Sequence, residues 1–231
     1  MRKAKVAALV LMAIVGIPAP AVSEQTDIGI RDLVCKQYEH GIPYDDARQL
    51  GRRAFPQLRS LLDDPNSKQC WATAVSSIAV AGMPESFGVL RQFIWERFKG
   101  DVDRQTFVAL ESAVATLGAS YADEQGPLID YLYVHANPKS WQQLPWRYAA
   151  HSAEDTESWF SVLCIYGLGC CSDPKAEVAL QKLDAKPFDP KQGPRIKAAI
   201  RMHKEVANLG LSEYKRRAGA RMQSHESGGT K

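Results

Sequence analysis

One phrase recurs along this chain and limits what it can fold into. Apolar residues at helical spacing lead to a glycine, and a second apolar stripe of helical period follows. The glycines are Gly51, Gly82, Gly118, Gly169 and Gly210. One position before each stands Leu50, Ala81, Leu117, Leu168 or Leu209, and four before stands Ala47, Ile78, Val114, Ile165 or Val206. Those offsets put both residues on one face of a helix that ends at the glycine. Glycine at such an end accepts the left-handed conformation that other residues resist. The following stripes are Leu58, Leu61 and Leu62, then Leu90, Phe93 and Ile94, then Leu128, Tyr131 and Leu132, and a weaker Ala176, Ala179, Leu180 and Leu183. Each is one buried helix face. Pro56, Pro84, Pro127 and Pro174 stand near the second-helix starts, where a missing N–H costs nothing. DDPNS at 63–67 reads as a turn between helices. No sustained period-2 alternation flanked by hairpin turns is present, so no strand is expected.

Recurrence at a few tens of residues points to stacked helix pairs that bury their apolar faces on their neighbours. ARQLGRRAFPQLRSLLDDPNSK and WATAVSSIAVAGMPESFGVLRQFI resemble HEAT-type repeats, of the HEAT-like, PBS-lyase-type family. QTFVALESAVATLGASYADEQGPLIDYLYV, at 105–134, is similar with a longer turn. The likeness is closest over 45–134 and looser over 156–214. It implies an all-α fold, an α-solenoid of about four helix pairs over 24–214. HEAT-type arrays usually act as binding scaffolds and a few relatives are enzymes, but the repeat pattern holds no catalytic residue to carry over. TDIGIRDLVCKQYEHG, 26–41, reads as an N-terminal helix with Ile30, Leu33, Val34 and Tyr38 as its stripe. It is expected to cap the open end of the stack.

The first 23 residues read as a secretory leader. Arg2, Lys3 and Lys5 precede the apolar run 6–17, which is short of the roughly 20 residues a membrane span needs. Ala21-Val22-Ser23 offers a cleavage site before Glu24, with Ala19-Pro20-Ala21 as the alternative. The competing reading is an uncleaved anchor, which Gly16 and Pro18 oppose. The expectation is an exported protein, periplasmic or secreted, without a stable membrane anchor. The formal charge of +3 equals those three leader cations, so the body is near neutral. A nucleic-acid partner would want a basic domain, and none is expected. The basic cluster Lys215, Arg216, Arg217 and Arg221 opens a small, polar tail, 215–231, that reads as disordered.

Export makes disulfides the default for Cys35, Cys70, Cys164, Cys170 and Cys171. GLGCCSDP, 167–174, aligns with the turns after Gly82 and Gly118, which places Cys170 and Cys171 between two helices. Adjacent cysteines rarely bond each other, because a trans peptide holds their Cα atoms about 3.8 Å apart and a disulfide prefers about 5.5 Å. Cys164 is therefore expected to bond Cys170 or Cys171, and Cys35 to bond Cys70, leaving one thiol. Two chemical readings compete with this. One is a soft-metal site completed by His151 or His203. The other is a thiol of lowered pKa at Cys170 or Cys171, near a helix N-terminus.

No HExxH, GxSxG, Walker or dinucleotide motif accompanies the five histidines. Asp45-Asp46 and Asp63-Asp64 sit where helix starts and turns use carboxylates for capping. The most unusual stretch is the insertion between repeats at 135–155, with Trp141, Trp146, Arg147 and Tyr148. Such insertions map to loops on one face, and Trp, Tyr and Arg anchor interfaces. The plainer reading is that these rings plug an irregular stack; Trp159 and Phe160 belong to the next helix core. The functional expectation is a non-enzymatic scaffold or adaptor, without a cofactor, that binds a protein or peptide on a concave face. The alternative is an envelope thiol-redox or metal-binding factor centred on Cys170 and Cys171.

Overall fold

The computed structural model describes residues 24–36, 50, 52–120 and 125–218. The expected leader at 1–23, Tyr38, His40, Asp45-Asp46, Ala47, Gly51, Arg221, His225 and the tail beyond 218 lie outside the described residues.

The described chain is mostly helical. We label the helices α1 (Glu24–Cys35), α2 (Phe55–Asp63), α3 (Trp71–Ala81), α4 (Ser86–Trp95), α5 (Arg104–Thr116), α6 (Gly126–His135), α7 (Ala153–Cys170), α8 (Pro174–Ala185) and α9 (Gly193–Leu209). A further helical stretch covers 211–218. The stripes read from spacing are the buried faces of α2, α4, α6 and α8. Tyr131 is half-buried, and its hydroxyl accepts a hydrogen bond from Trp95 Nε1 at 2.8 Å. Prolines stand in the first turns of α2, α6 and α8. Asp64 caps the short 3-10 segment Pro65–Cys70 by accepting from the Asn66 N–H, which makes DDPNS the turn its residues suggest.

Packing follows chain order. α3 lies on α5, α5 on α7, and α7 on α9. The helices between them pack back on these: α2 on α3, α4 on α3 and α5, α6 on α7, and α8 on α7 and α9. α7 is the centre, and its buried residues run from Thr156 to Cys170. α1 rests on α2 and α3 and buries Val34, with Ile30 and Leu33 half-buried. Cys35, its last residue, is disulfide-bonded to Cys70, immediately before α3. Among the described residues no helix is long and apolar enough to cross a membrane.

Three expectations need correction. First, the glycines do two different jobs. Gly82 (φ 64°) and Gly210 (φ 77°) end α3 and α9 with positive φ. Gly169 ends nothing, since α7 continues to Cys170. A Cβ on Gly169 would stand 3.0 Å from the Ala199 carbonyl oxygen of α9. Gly118 sits in the 3-10 turn Leu117–Ala119 and meets Gly167 of α7, where a Cβ would stand 2.1 Å from the Gly167 carbonyl oxygen. These positions are glycine because backbones touch there.

Second, two strands exist. β1 (Gly100–Val102) pairs in parallel with β2 (Trp146–Tyr148), with Gly100 opposite Trp146. At three residues each they are too short for alternation to be read from sequence. Third, Trp159 is 38% exposed while its neighbour Phe160 is fully buried. The inward stripe of α7 runs through Phe160, Leu163, Cys164 and Gly167, one residue out of phase with Trp159.

Candidate functional site

The cysteine turn is closed chemistry. Cys164, Cys170 and Cys171 are all free thiols and all buried. The expected bond from Cys164 to Cys170 or Cys171 is therefore corrected. Because α7 runs on to Cys170, Cys164 sits within the same helix instead of across a turn from the pair. Cys171 Sγ lies 3.4 Å from the Gly167 carbonyl oxygen and 3.8 Å from that of Gly118, a weak donor facing backbone. Cys170 Sγ faces Met202 Sδ at 3.7 Å. Burial pushes all three thiols upward, and for Cys170 the charge of Lys215 opposes it only in part. Protonated, enclosed thiols are poor nucleophiles.

The histidines do not complete a metal set. His203 is buried, with Nδ1 2.8 Å from the Cys171 carbonyl oxygen. A carbonyl only accepts, so Nδ1 carries the proton and the ring holds the α7 terminus to α9. His151 packs edge-on against Phe107. Among the described residues no group of three or more His, Cys, Asp or Glu side chains could hold a metal ion.

The aromatic insertion is mostly core. Trp141 (1% exposed) and Trp146 (4%) were candidate partner anchors, and their burial removes them from the surface. Trp146 Nε1 donates to the Ile94 carbonyl of α4 at 2.7 Å, with its ring against Phe107 and Phe160. Trp141 Nε1 donates to the His135 carbonyl at 2.8 Å, and its ring stacks on Trp95 and meets Phe160 edge-on. A satisfied N–H inside an apolar shell is how a large amphipathic ring becomes a filler. Tyr148 is half-buried and stacks on Phe107 at 4.5 Å. Arg147 alone is open to solvent, paired across the strands with Asp101, whose carboxyl it holds below the usual range.

A groove of about 230 Å³ lies between α2 and α4, with Arg59, Leu62, Gln92, Phe93 and Arg97 among its walls. Arg97 donates to Asp63 at 2.9 Å and lies over the Trp71 ring at 5.1 Å, so its fork is held at one edge. Trp71 is itself fixed by a bond from Nε1 to the Leu61 carbonyl at 2.9 Å. Sequence reading missed this groove because its walls come from two separate helices, each with an ordinary polar outer face. No family model, no curated protein and no solved structure matches this chain.

Proposed function

We propose that this chain is an exported, non-enzymatic interaction scaffold: a HEAT-like stack of about four helix pairs capped by α1. The observation that carries the reading is the packing order. Each of α3, α5, α7 and α9 lies on the next, while the helices between fold back on them. That alternation is what a stack of pairs requires. The Cys35–Cys70 bond suits an oxidising compartment. The buried, protonated thiols weigh against a thiol-redox centre.

The partner face in this proposal is the layer of α2, α4, α6 and α8. It holds the α2–α4 groove, and three of the large exposed apolar side chains belong to it: Val134 on α6, Val178 on α8 and Phe188 just beyond α8. A protein or peptide would bury these side chains and pair with Arg59 and Arg97. Arg147 and Tyr148 then stand beside the interface without anchoring it.

A photo-crosslinking amino acid placed in an exporting host tests both parts. Positions Gln92, Val134 and Val178 are expected to yield one discrete protein adduct, and Val108 and Arg147 none. Equal yields from the two sets, or no adduct at any position, would overturn the reading.

A further inference from the structure

Helices α7 and α9 bring two sulfur atoms together close to the surface. Cys170, the last residue of α7, places its Sγ 3.7 Å from Sδ of Met202 in α9. Cys170 is 8% exposed and Met202 is half-buried, whereas the other two free thiols, Cys164 and Cys171, are fully buried. The pair therefore stands at the rim of the core, within reach of a small solute.

The backbone beneath the pair is built for this approach. A Cβ on Gly169 would stand 3.1 Å from Met202 Sδ and 3.2 Å from the Ala199 Cα, so the Met202 sulfur rests on bare α7 backbone. His203, the next residue of α9, fixes the two helices in register through its 2.8 Å bond to the Cys171 carbonyl oxygen. Both sulfurs are thus carried by helices that are locked to each other at the same level.

A thiolate beside a thioether is a soft donor pair, and such donors select monovalent copper. Metal–sulfur bonds of about 2.3 Å at a tetrahedral angle hold two sulfurs about 3.8 Å apart. The observed separation matches that value, so an ion can enter with little movement of either side chain. Zinc normally takes four ligands. Among the described residues no group of three or more His, Cys, Asp or Glu side chains could hold a metal ion, so zinc would be left short here. Monovalent copper, with its filled d shell, accepts a low coordination number.

We infer that Cys170 and Met202 form a binding site for Cu(I). The ion takes the place of the thiol proton: Cys170–SH and Cu⁺ give Cys170–S–Cu and H⁺, with no change in oxidation state. The Met202 thioether donates a lone pair to the same ion. The two ligands lie 32 positions apart, which is why no spacing motif announces them. This inference does not rest on the scaffold reading.

Competition with bicinchoninate, a Cu(I)-binding chromophore, tests it. The full chain is titrated without oxygen, with ascorbate to hold the copper reduced and leave the Cys35–Cys70 bond intact. Withdrawal of one Cu(I) per chain is expected. Met202→Leu, a swap that roughly preserves volume, is expected to weaken binding by about tenfold or more, and Cys170→Ser to abolish it. Cys164 and Cys171 remain in both variants, so copper held by either of them would leave the affinity unchanged and overturn the proposal. So would failure of the unaltered chain to withdraw copper from the chromophore. X-ray absorption at the copper edge reads the same site without a substitution. Sulfur neighbours at about 2.3 Å are expected, and a shell of nitrogen or oxygen alone would overturn the assignment.

Discussion

The edge and the centre of the helical body are held in opposite ways. At the N-terminal edge, α1 rests on α2 and α3, and among its described side chains Val34 is fully buried. It is joined by the Cys35–Cys70 bond and by Arg31, whose guanidinium donates to Ser67 Oγ at 3.2 Å. At the centre, α7 packs against α5, α6, α8 and α9 and carries the unbonded thiols Cys164 and Cys170, with Cys171 unbonded just beyond its end. Gly167 and Gly169 hold it there by letting neighbouring backbone come close. A peripheral helix gains from a covalent clip. A central one needs room.

The seam between the halves is where the largest effect is expected. Trp146→Ala empties a filled ring site and strips the donor from the Ile94 carbonyl. A loss of about 3–5 kcal/mol should follow, read by chemical denaturation. A near-native midpoint would mean that the insertion only lies over the core. Removing the clip by Cys35→Ser with Cys70→Ser comes next. The bond closes a 35-position separation, which corresponds to about 3.8 kcal/mol in the chain-entropy description. Hydrogen exchange should rise first in α1 and leave α7 protected. Uniform loss across both would show that edge and centre are one cooperative unit.

Gly118→Ala tests the centre. Its Cβ would meet the Gly167 backbone, which cannot swing aside as a side chain can. Overpacking of this kind costs about 1–3 kcal/mol. Gly88→Ala, whose Cβ meets nothing within 4 Å, is the matched control and should be neutral or slightly stabilising. Equal melting of the two variants would dissolve the contrast between room and clip. Gly82→Ala should fall below Gly118→Ala, at about 1 kcal/mol, since it forces a Cβ into left-handed backbone.

These glycines also mark what was legible beforehand. Spacing of Leu58, Leu61 and Leu62 or of Leu90, Phe93 and Ile94 reports a buried face directly, because helix period converts position into direction. Gly82 and Gly169 look alike in that pattern. One ends a helix and the other admits α9, and the difference lies in a neighbour 30 positions away, Ala199, which no local pattern contains. The Cys35–Cys70 pairing was legible because both residues flank helices that had to meet. The thiol turn was misread for the same reason as Gly169: α7 was ended too early. Trp146 could be read as unusual, but its burial depends on Ile94 and Phe107 closing over it. The groove between α2 and α4 had no signal, since Arg59 and Gln92 are ordinary helix-surface residues until the fold brings them together.

The smallest effect separates the halves by charge. α5 begins at Asp103, whose carboxylate accepts from the Thr106 N–H at 2.8 Å and from Lys68 Nζ at 2.8 Å. The Lys68 bond first, then the Thr106 backbone, lower its pKa to about 2. A depressed carboxyl contributes stability that is fully present above its unfolded value, about 3.9, and is lost as pH falls through about 2. Because the side chain is 52% exposed, water screens the pair and the loss should stay below about 1 kcal/mol. α7 begins instead at Ser152, whose hydroxyl accepts from the Asp155 N–H at 3.0 Å and does not titrate in this window. Asp103→Ser keeps a capping oxygen on α5 without the charge. Melting curves of this variant and of the unaltered chain should then converge between pH 4 and pH 2, with the variant the less stable above that window. Curves that stay parallel through the window would place the acid sensitivity elsewhere and leave the two helix starts equivalent.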